Sequence, residues 1–217
     1  MTETRSRQEG TDGDRARSRL AGLAAAPVDG VYDEVARGMV GQASLPTGRH
    51  GRVVAALLAV LDRYLVLKAR AMGWDPEHGL DARDRLVGFA ACGPFGMRFT
   101  TGSDGLQVRG ADGVYVPAEQ YAEIGRGGWP ETNYFPGVPR LVIEVIAPSD
   151  AAASVDEKVQ DYLQGGARRV WCLYTDRHTV HVYDRGAPTR VLRGHDKLSD
   201  DELLPGFAIP LSLVFPG

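Results

Sequence analysis

A single α/β domain, built as a mixed sheet flanked by helices with an antiparallel hairpin following the core, is predicted by three observations in this 217-residue sequence. Leu141–Ile146 is an apolar, β-branched run of strand length, the pattern of a strand covered on both faces, and Pro148 ends it. A helical pattern follows it, starting near Ser154 and ending at Gly165-Gly166. Two alternating segments, Arg169–Tyr174 and Thr179–Tyr183, then flank a turn at Thr175–His178.

In chain order, residues 1–27 carry almost no large apolar side chain before Leu20, so they read as a disordered tail, and the domain is expected over 28–217. Leu20–Val28 is preceded by a long stretch rich in arginine and acids, which argues against a signal peptide. With no apolar run near the roughly 20 residues that span a bilayer, a cytoplasmic protein with no membrane partner is expected. Val31–Ala43 looks like an edge strand pair containing Glu34, broken at Gly38 and Gly41. Val53, Val54, Leu57, Leu58, Leu61 and Leu65 recur at helical spacing, giving a long helix capped by Thr47 with His50 in its first turn.

Between Gly73 and Thr101 the glycines and prolines suggest short strands at Leu86–Ala91 and Met97–Thr100, with Gly93–Gly96 as a turn. Leu106–Pro117 reads as a strand carrying Asp112 on the face of Val108, Val114 and Val116. Tyr121–Pro136 reads as a long loop. Ser154 and Glu157 fit a capping box, and Val155, Val159, Tyr162 and Leu163 form the helix's buried stripe. Trp171 belongs to the core, His181 to the surface, and the apolar C-terminus docks on the body. Cys92 and Cys172 lack metal-ligand or redox spacing and read as reduced, mostly buried thiols.

Glu144 is the charge that the strand pattern does not explain. It shares a face with Val142 and Ile146, where an ionised carboxylate needs a cation, a metal or a hydrogen-bond donor. Asp112 on a neighbouring strand and Lys158, one helical turn from Val155 and Tyr162, are the candidate partners. Two carboxylates on adjacent strands make a hard oxygen site suited to magnesium, and a nearby lysine can stabilise developing negative charge. That combination suits phosphodiester hydrolysis. A net charge of −3 excludes unspecific coating of nucleic acid but leaves room for a local basic groove.

Asp, then Glu in an apolar strand, then Lys resembles the PD-(D/E)XK nuclease superfamily, with its restriction-endonuclease-like fold. More closely, the chain resembles the Uma-type family of endonucleases. The resemblance is carried by Glu34–Gly38, His50-Gly51, Asp112, Glu144–Ser149, Lys158 with Tyr162 and Gly166, Val170-Trp171, Thr179–Tyr183 and Leu204–Phe207 through Phe215. It implies that Asp112 and Glu144, with the Val145 carbonyl, ligate Mg2+ or Mn2+. It further implies that Lys158 replaces the superfamily's lysine at the position of Ile146, that Glu34 approaches the metal or its water, and that His50 lines the cleft.

Basic groups of the family pattern are thinned here: Gly110-Ala111 stands for Arg-Pro, Ala151–Ser154 for a basic run, and Tyr174 for an Asp. DNA is the expected substrate. A small-molecule or peptide substrate on the same scaffold, or a non-catalytic binding module, are the alternative readings. The antiparallel edges and apolar C-terminus suggest a homodimer.

Overall fold

The computed structural model describes residues 32–36, 39–43, 48–102, 105–127 and 134–215, with only the backbone described at 32–36, 39–43 and 125–127. The N-terminal tail and Thr47 lie outside the described residues, as does the side chain of Glu34. In order, the elements are β1 (Tyr32–Ala36), β2 (Met39–Ala43), α1 (Gly48–Ala71), a 3-10 turn (Pro76–His78), α2 (Gly79–Val87), β3 (Phe89–Thr101), β4 (Gly105–Val116), α3 (Ala118–Gly127), β5 (Phe135–Pro136), β6 (Leu141–Ile146), α4 (Ala152–Gly165), β7 (Arg169–Tyr174), β8 (Thr179–Asp184), β9 (Arg190–Leu192), β10 (Lys197–Asp200), β11 (Leu204–Pro210) and α5 (Leu211–Val214).

The expected mixed sheet flanked by helices is present, with β10–β11 as a separate antiparallel hairpin. β6 and β7 run parallel, Glu144 opposite Cys172, joined by α4 as a crossover helix. β7–β8 and β8–β9 are antiparallel.

β4 is the strand on which the sheet divides. β3 lines one of its edges almost end to end, from Phe89↔Val116 to Thr101↔Gly105. The other edge is shared: β6 takes Gly113–Tyr115, and β1 takes Val108. Between those two pairings lie Arg109–Asp112, so the sheet forks there, with β6–β9 forming one arm and β1–β2 the other.

Each face of the sheet has its own core. Val53, Leu57, Leu61 and Leu65 of α1 pack with Ile143, Val145, Trp171 and Leu173 on one face. Val155, Val159 and Tyr162 of α4 pack with Val142, Ile146, Val170 and Cys172 on the other. This two-sided covering is why β6 is apolar on both faces and every residue of it is buried.

Several sequence expectations need correction. The Gly73–Thr101 segment is helix α2 followed by one continuous strand, because Gly93-Pro94 is accommodated as a bulge: Cys92 pairs with Gly113 and Phe95 with Ala111. The bulge absorbs the residues that a turn would have used and lies directly opposite Asp112. Much of the expected Tyr121–Pro136 loop is α3, in which the side chain of Gln120 bridges to Val138 O and Arg140 N, tying the helix to the start of β6. The Ser154–Glu157 capping box does not form. α4 begins at Ala152 behind Ala151, which caps it with no side chain, and Glu157 pairs with Arg109 instead. Cys92 is exposed where a buried thiol was expected, since it sits at the bulge; Cys172 is buried. The α4 C-terminus falls where Gly165-Gly166 places it, with Gly166 left-handed at φ 117°.

Candidate active site

The fork in the sheet decides where the charged residues meet. Since β6 stops pairing with β4 at Gly113↔Ile143, the backbone N–H of Val145 has no strand partner on that side. The carboxylate of Asp112 replaces the strand: its Oδ2 accepts from Val145 N at 2.7 Å. The same oxygen lies 3.0 Å from Nε2 of His50, in the first turn of α1. Asp112 therefore links the fork of the sheet to the helix on one face.

Glu144 points to the other face, toward α4. It is 6% exposed, so its burial has to be offset by partners. Tyr162, fully buried on α4, donates its hydroxyl to Oε1 of Glu144 at 2.6 Å, while Gly110 O lies 3.1 Å from the same hydroxyl as a second acceptor in the gap of the fork. Lys158, one turn earlier on α4, places Nζ 3.9 Å from Oε2. One helix face thus supplies a hydrogen bond to one carboxylate oxygen and a positive charge to the other. Lys158 lies beside Glu144, as helical spacing suggested, and His50 contacts Asp112, a pairing that the sequence did not indicate.

α4 is itself held in register by charge. Arg109, buried on β4, donates from Nε to Asp161 Oδ2 at 3.0 Å and from a terminal nitrogen to Glu157 at 2.9 Å. Asp161 and Glu157 flank Lys158 along the helix, so the Arg109 clamp fixes the turn from which Lys158 projects. A clamp of this kind is invisible in an alternating strand pattern, because a buried arginine looks like any exposed one until its partners are known. Tyr162 was legible as a core residue, but its hydroxyl was not: tyrosine satisfies the apolar stripe with its ring and carries the polar group beyond it.

Burial alone would lower the pKa of His50. The hydrogen bond to Asp112 and the charges of Asp112, Glu144 and Asp150 outweigh it, leaving the imidazole above its ordinary value of 6.5. The thiol of Cys172, opposite Glu144, is pushed well up by burial and then by the Glu144 charge, which keeps it protonated and inert.

Among the described residues, no three His, Cys, Asp or Glu side chains converge into a cage for a metal ion. Asp112 and Glu144 flank the fork as a pair of hard oxygen donors beside the main chain of Val145. That set fits magnesium, which takes one or two carboxylates and fills its remaining positions with water and substrate oxygens. A separate open cleft of about 550 Å3 lies toward the other end of β3, lined by Arg98, Phe99, Leu106 and Tyr134 among others, and none of the site carboxylates lines it. Among the described residues no helix is long and apolar enough to cross a membrane.

Comparison with known proteins identifies a family and a similar solved structure. The model of the Uma2 family, described as "Putative restriction endonuclease", matches residues 29–212. A solved structure described as "a putative nuclease belonging to DUF820", from Anabaena variabilis, superposes with a TM-score of 0.69 over 92% of this chain and 96% of that one, at 17% identity. At that identity the likeness is one of fold. No curated protein matches the chain.

Proposed function

We propose, since the chain belongs to the Uma2 restriction endonuclease family, that it is a metal-dependent nuclease that hydrolyses phosphodiester bonds in DNA. The observation that carries this reading is the pair of anchored carboxylates at the fork of the sheet, Asp112 held by Val145 N–H and His50, and Glu144 held by Tyr162 and Lys158 on its two oxygens.

Asp112, Glu144 and the carbonyl of Val145 would hold Mg2+ or Mn2+, which supplies Lewis-acid stabilisation of a phosphoryl oxygen and lowers the pKa of a bound water. The protein's own groups prepare that chemistry. Val145 N–H and His50 both sit on Oδ2 of Asp112, which fixes the carboxylate's rotamer and leaves Oδ1 as the oxygen a cation would take. Tyr162 orients Glu144 from the core side. Lys158 brings a positive charge that favours the extra negative charge accumulating on the phosphoryl group during attack. Glu34, on the other arm of the fork one residue from the Val35↔Val108 pair, would order the attacking water.

Cleavage of supercoiled plasmid in magnesium or manganese tests the reading. Wild-type protein should nick and linearise the plasmid, EDTA should abolish the activity, and Glu144→Ala and Lys158→Ala should each lower the rate by about 100-fold or more. Equal cleavage by all three proteins sinks it.

A further inference from the structure

Beyond β6, the sheet face that bears Glu144 carries a group of aromatic rings. Glu144, Cys172, His181 and Val191 form one row across β6, β7, β8 and β9. Tyr174 and Tyr183 occupy the flanking rows on the same face, opposite Ile146 and Val170 respectively. The rings touch one another: Tyr174 and His181 have centroids 4.4 Å apart at 43°, and His181 and Tyr183 lie 6.3 Å apart. α4 covers this face as far as β7, where Cys172 has no exposure. Tyr174, His181 and Tyr183 are each only half-buried, and Val191 at the end of the row is 43% exposed.

Two features fit this face to a particular occupant. The first is charge. The turns around β8 and the end of β9 hold Arg177, Arg185 and Arg193, all exposed, in a chain whose net charge is −3; Arg190 shares the opposite face with Val182 and pairs with Asp184, and Lys197 belongs to β10. The basic groups missing from the family pattern near Asp112 and Lys158 thus have counterparts on the β8–β9 rim. The second is the state of the rings. Burial, and then the charge of Arg177, pushes the His181 imidazole down from 6.5, so it is a neutral aromatic surface at pH 7. Burial first, with the Asp156 charge of α4 among the smaller causes, raises the Tyr174 and Tyr183 hydroxyls, so both rings are neutral as well.

At about 4.8 Å between strands, His181 stands about 10 Å from Glu144.

We infer that the Tyr174–His181–Tyr183 face is a stacking platform for unpaired bases of a nucleic-acid strand whose phosphates lie along the basic β8–β9 rim. Every base has a π-face, so such a platform is tolerant of sequence but requires bases free of a duplex. Resting on the nuclease reading, this makes single-stranded or locally opened nucleic acid the substrate class of the Asp112–Glu144 site.

Fluorescence anisotropy with the full chain in EDTA, using a labelled single-stranded oligonucleotide of about 12 nucleotides and the matching duplex, separates this inference from cleavage. The single strand should bind at least about tenfold tighter than the duplex. Tyr174→Leu and His181→Ala should each weaken single-strand binding by about 5- to 100-fold, the range for loss of one base–aromatic stack, and leave duplex binding unchanged. Arg193→Gln should lower the slope of log affinity against log salt by about 0.7 for one lost phosphate contact. If Tyr174→Leu melts early, the β8 variant His181→Ala carries the test. Equal affinity for the two forms, single-strand binding unchanged in His181→Ala, or no single-strand binding at all overturns the inference. The plasmid assay decides the nuclease reading independently of each of these outcomes.

Discussion

Glu144 is buried almost completely, yet it is flanked by groups that favour its charged form. A hydroxyl at 2.6 Å and an ammonium at 3.9 Å, on a helix held in place by Arg109, hold a carboxylate that packing alone would expel. The role of Tyr162 is therefore to orient a ligand as well as to fill the core. Tyr162→Phe keeps the ring and removes only the donor. It should cost about 1–3 kcal/mol of stability, the range for a buried acceptor left without its hydrogen bond, measured by urea unfolding. If the hydroxyl orients Glu144 for metal, calorimetry should also show magnesium binding weakened by about tenfold or more; a purely structural hydroxyl would change the unfolding midpoint and leave the magnesium isotherm alone. At this scale the sequence revealed the anomaly at Glu144 and the reach of Lys158, because strand alternation and helical spacing locate charges on faces. It could not reveal the Tyr162 hydroxyl or the Arg109 clamp, whose partners lie 18 and 52 residues away.

Among the elements, α1, β6, α4 and the β7–β8 hairpin follow from local pattern, whereas α2, α3 and the length of β3 do not. The common cause is glycine and proline used for tertiary purposes. Gly93-Pro94 looks like a turn and serves as a bulge opposite Asp112. Gly88 joins α2 to β3 at φ +77°, where an added Cβ would lie 2.1 Å from Val116 O and 2.7 Å from Pro117 Cα. Neither backbone atom can give way without moving β4. Gly88→Ala should therefore lose about 3 kcal/mol or more, from dihedral strain and overpacking together. Gly73→Ala is the control: φ is +89° but nothing lies within 4 Å, so only the dihedral cost of about 1–2 kcal/mol should appear. Similar losses in the two variants, in parallel chemical denaturation curves, would show that the contact with β4 does not matter.

For the molecule as a whole, the β10–β11 hairpin is fastened to the sheet by charge. Arg169, at the start of β7, pairs with Asp184 on β8 and with the fully buried Asp200 on β10, and reaches Glu202 at 3.5 Å. Hydrophobic contacts of Leu198, Leu204, Phe207 and Ile209 with the α1-side core complete the attachment. Arg169→Leu would leave the buried Asp200 without its cation and Asp184 with only the exposed Arg190, and should destabilise by about 3–5 kcal/mol. Its neighbour Arg168 pairs with Glu202 at the surface, 41% and 48% exposed, so Arg168→Ala should cost less than about 1 kcal/mol. Thermal melts and hydrogen exchange across 197–210 would check both. An Arg169→Leu protein as stable as wild type, with the hairpin still protected, would rule out the ionic fastening.

The sequence by itself determined that a carboxylate sits where the core wants hydrocarbon, that a strand, a helix and a hairpin surround it, and which carboxylate and lysine could answer it. Periodicity carries that information because the faces of strands and helices are local properties. Only the tertiary structure decided that β4 gives one edge to β3 and divides the other between β6 and β1, releasing Asp112 and Gly110 into the gap. It also decided that the row of Glu144 continues through Cys172 to His181. Strand pairing joins residues far apart in the chain, and its register is set by which backbone groups remain unpaired when the whole sheet is assembled.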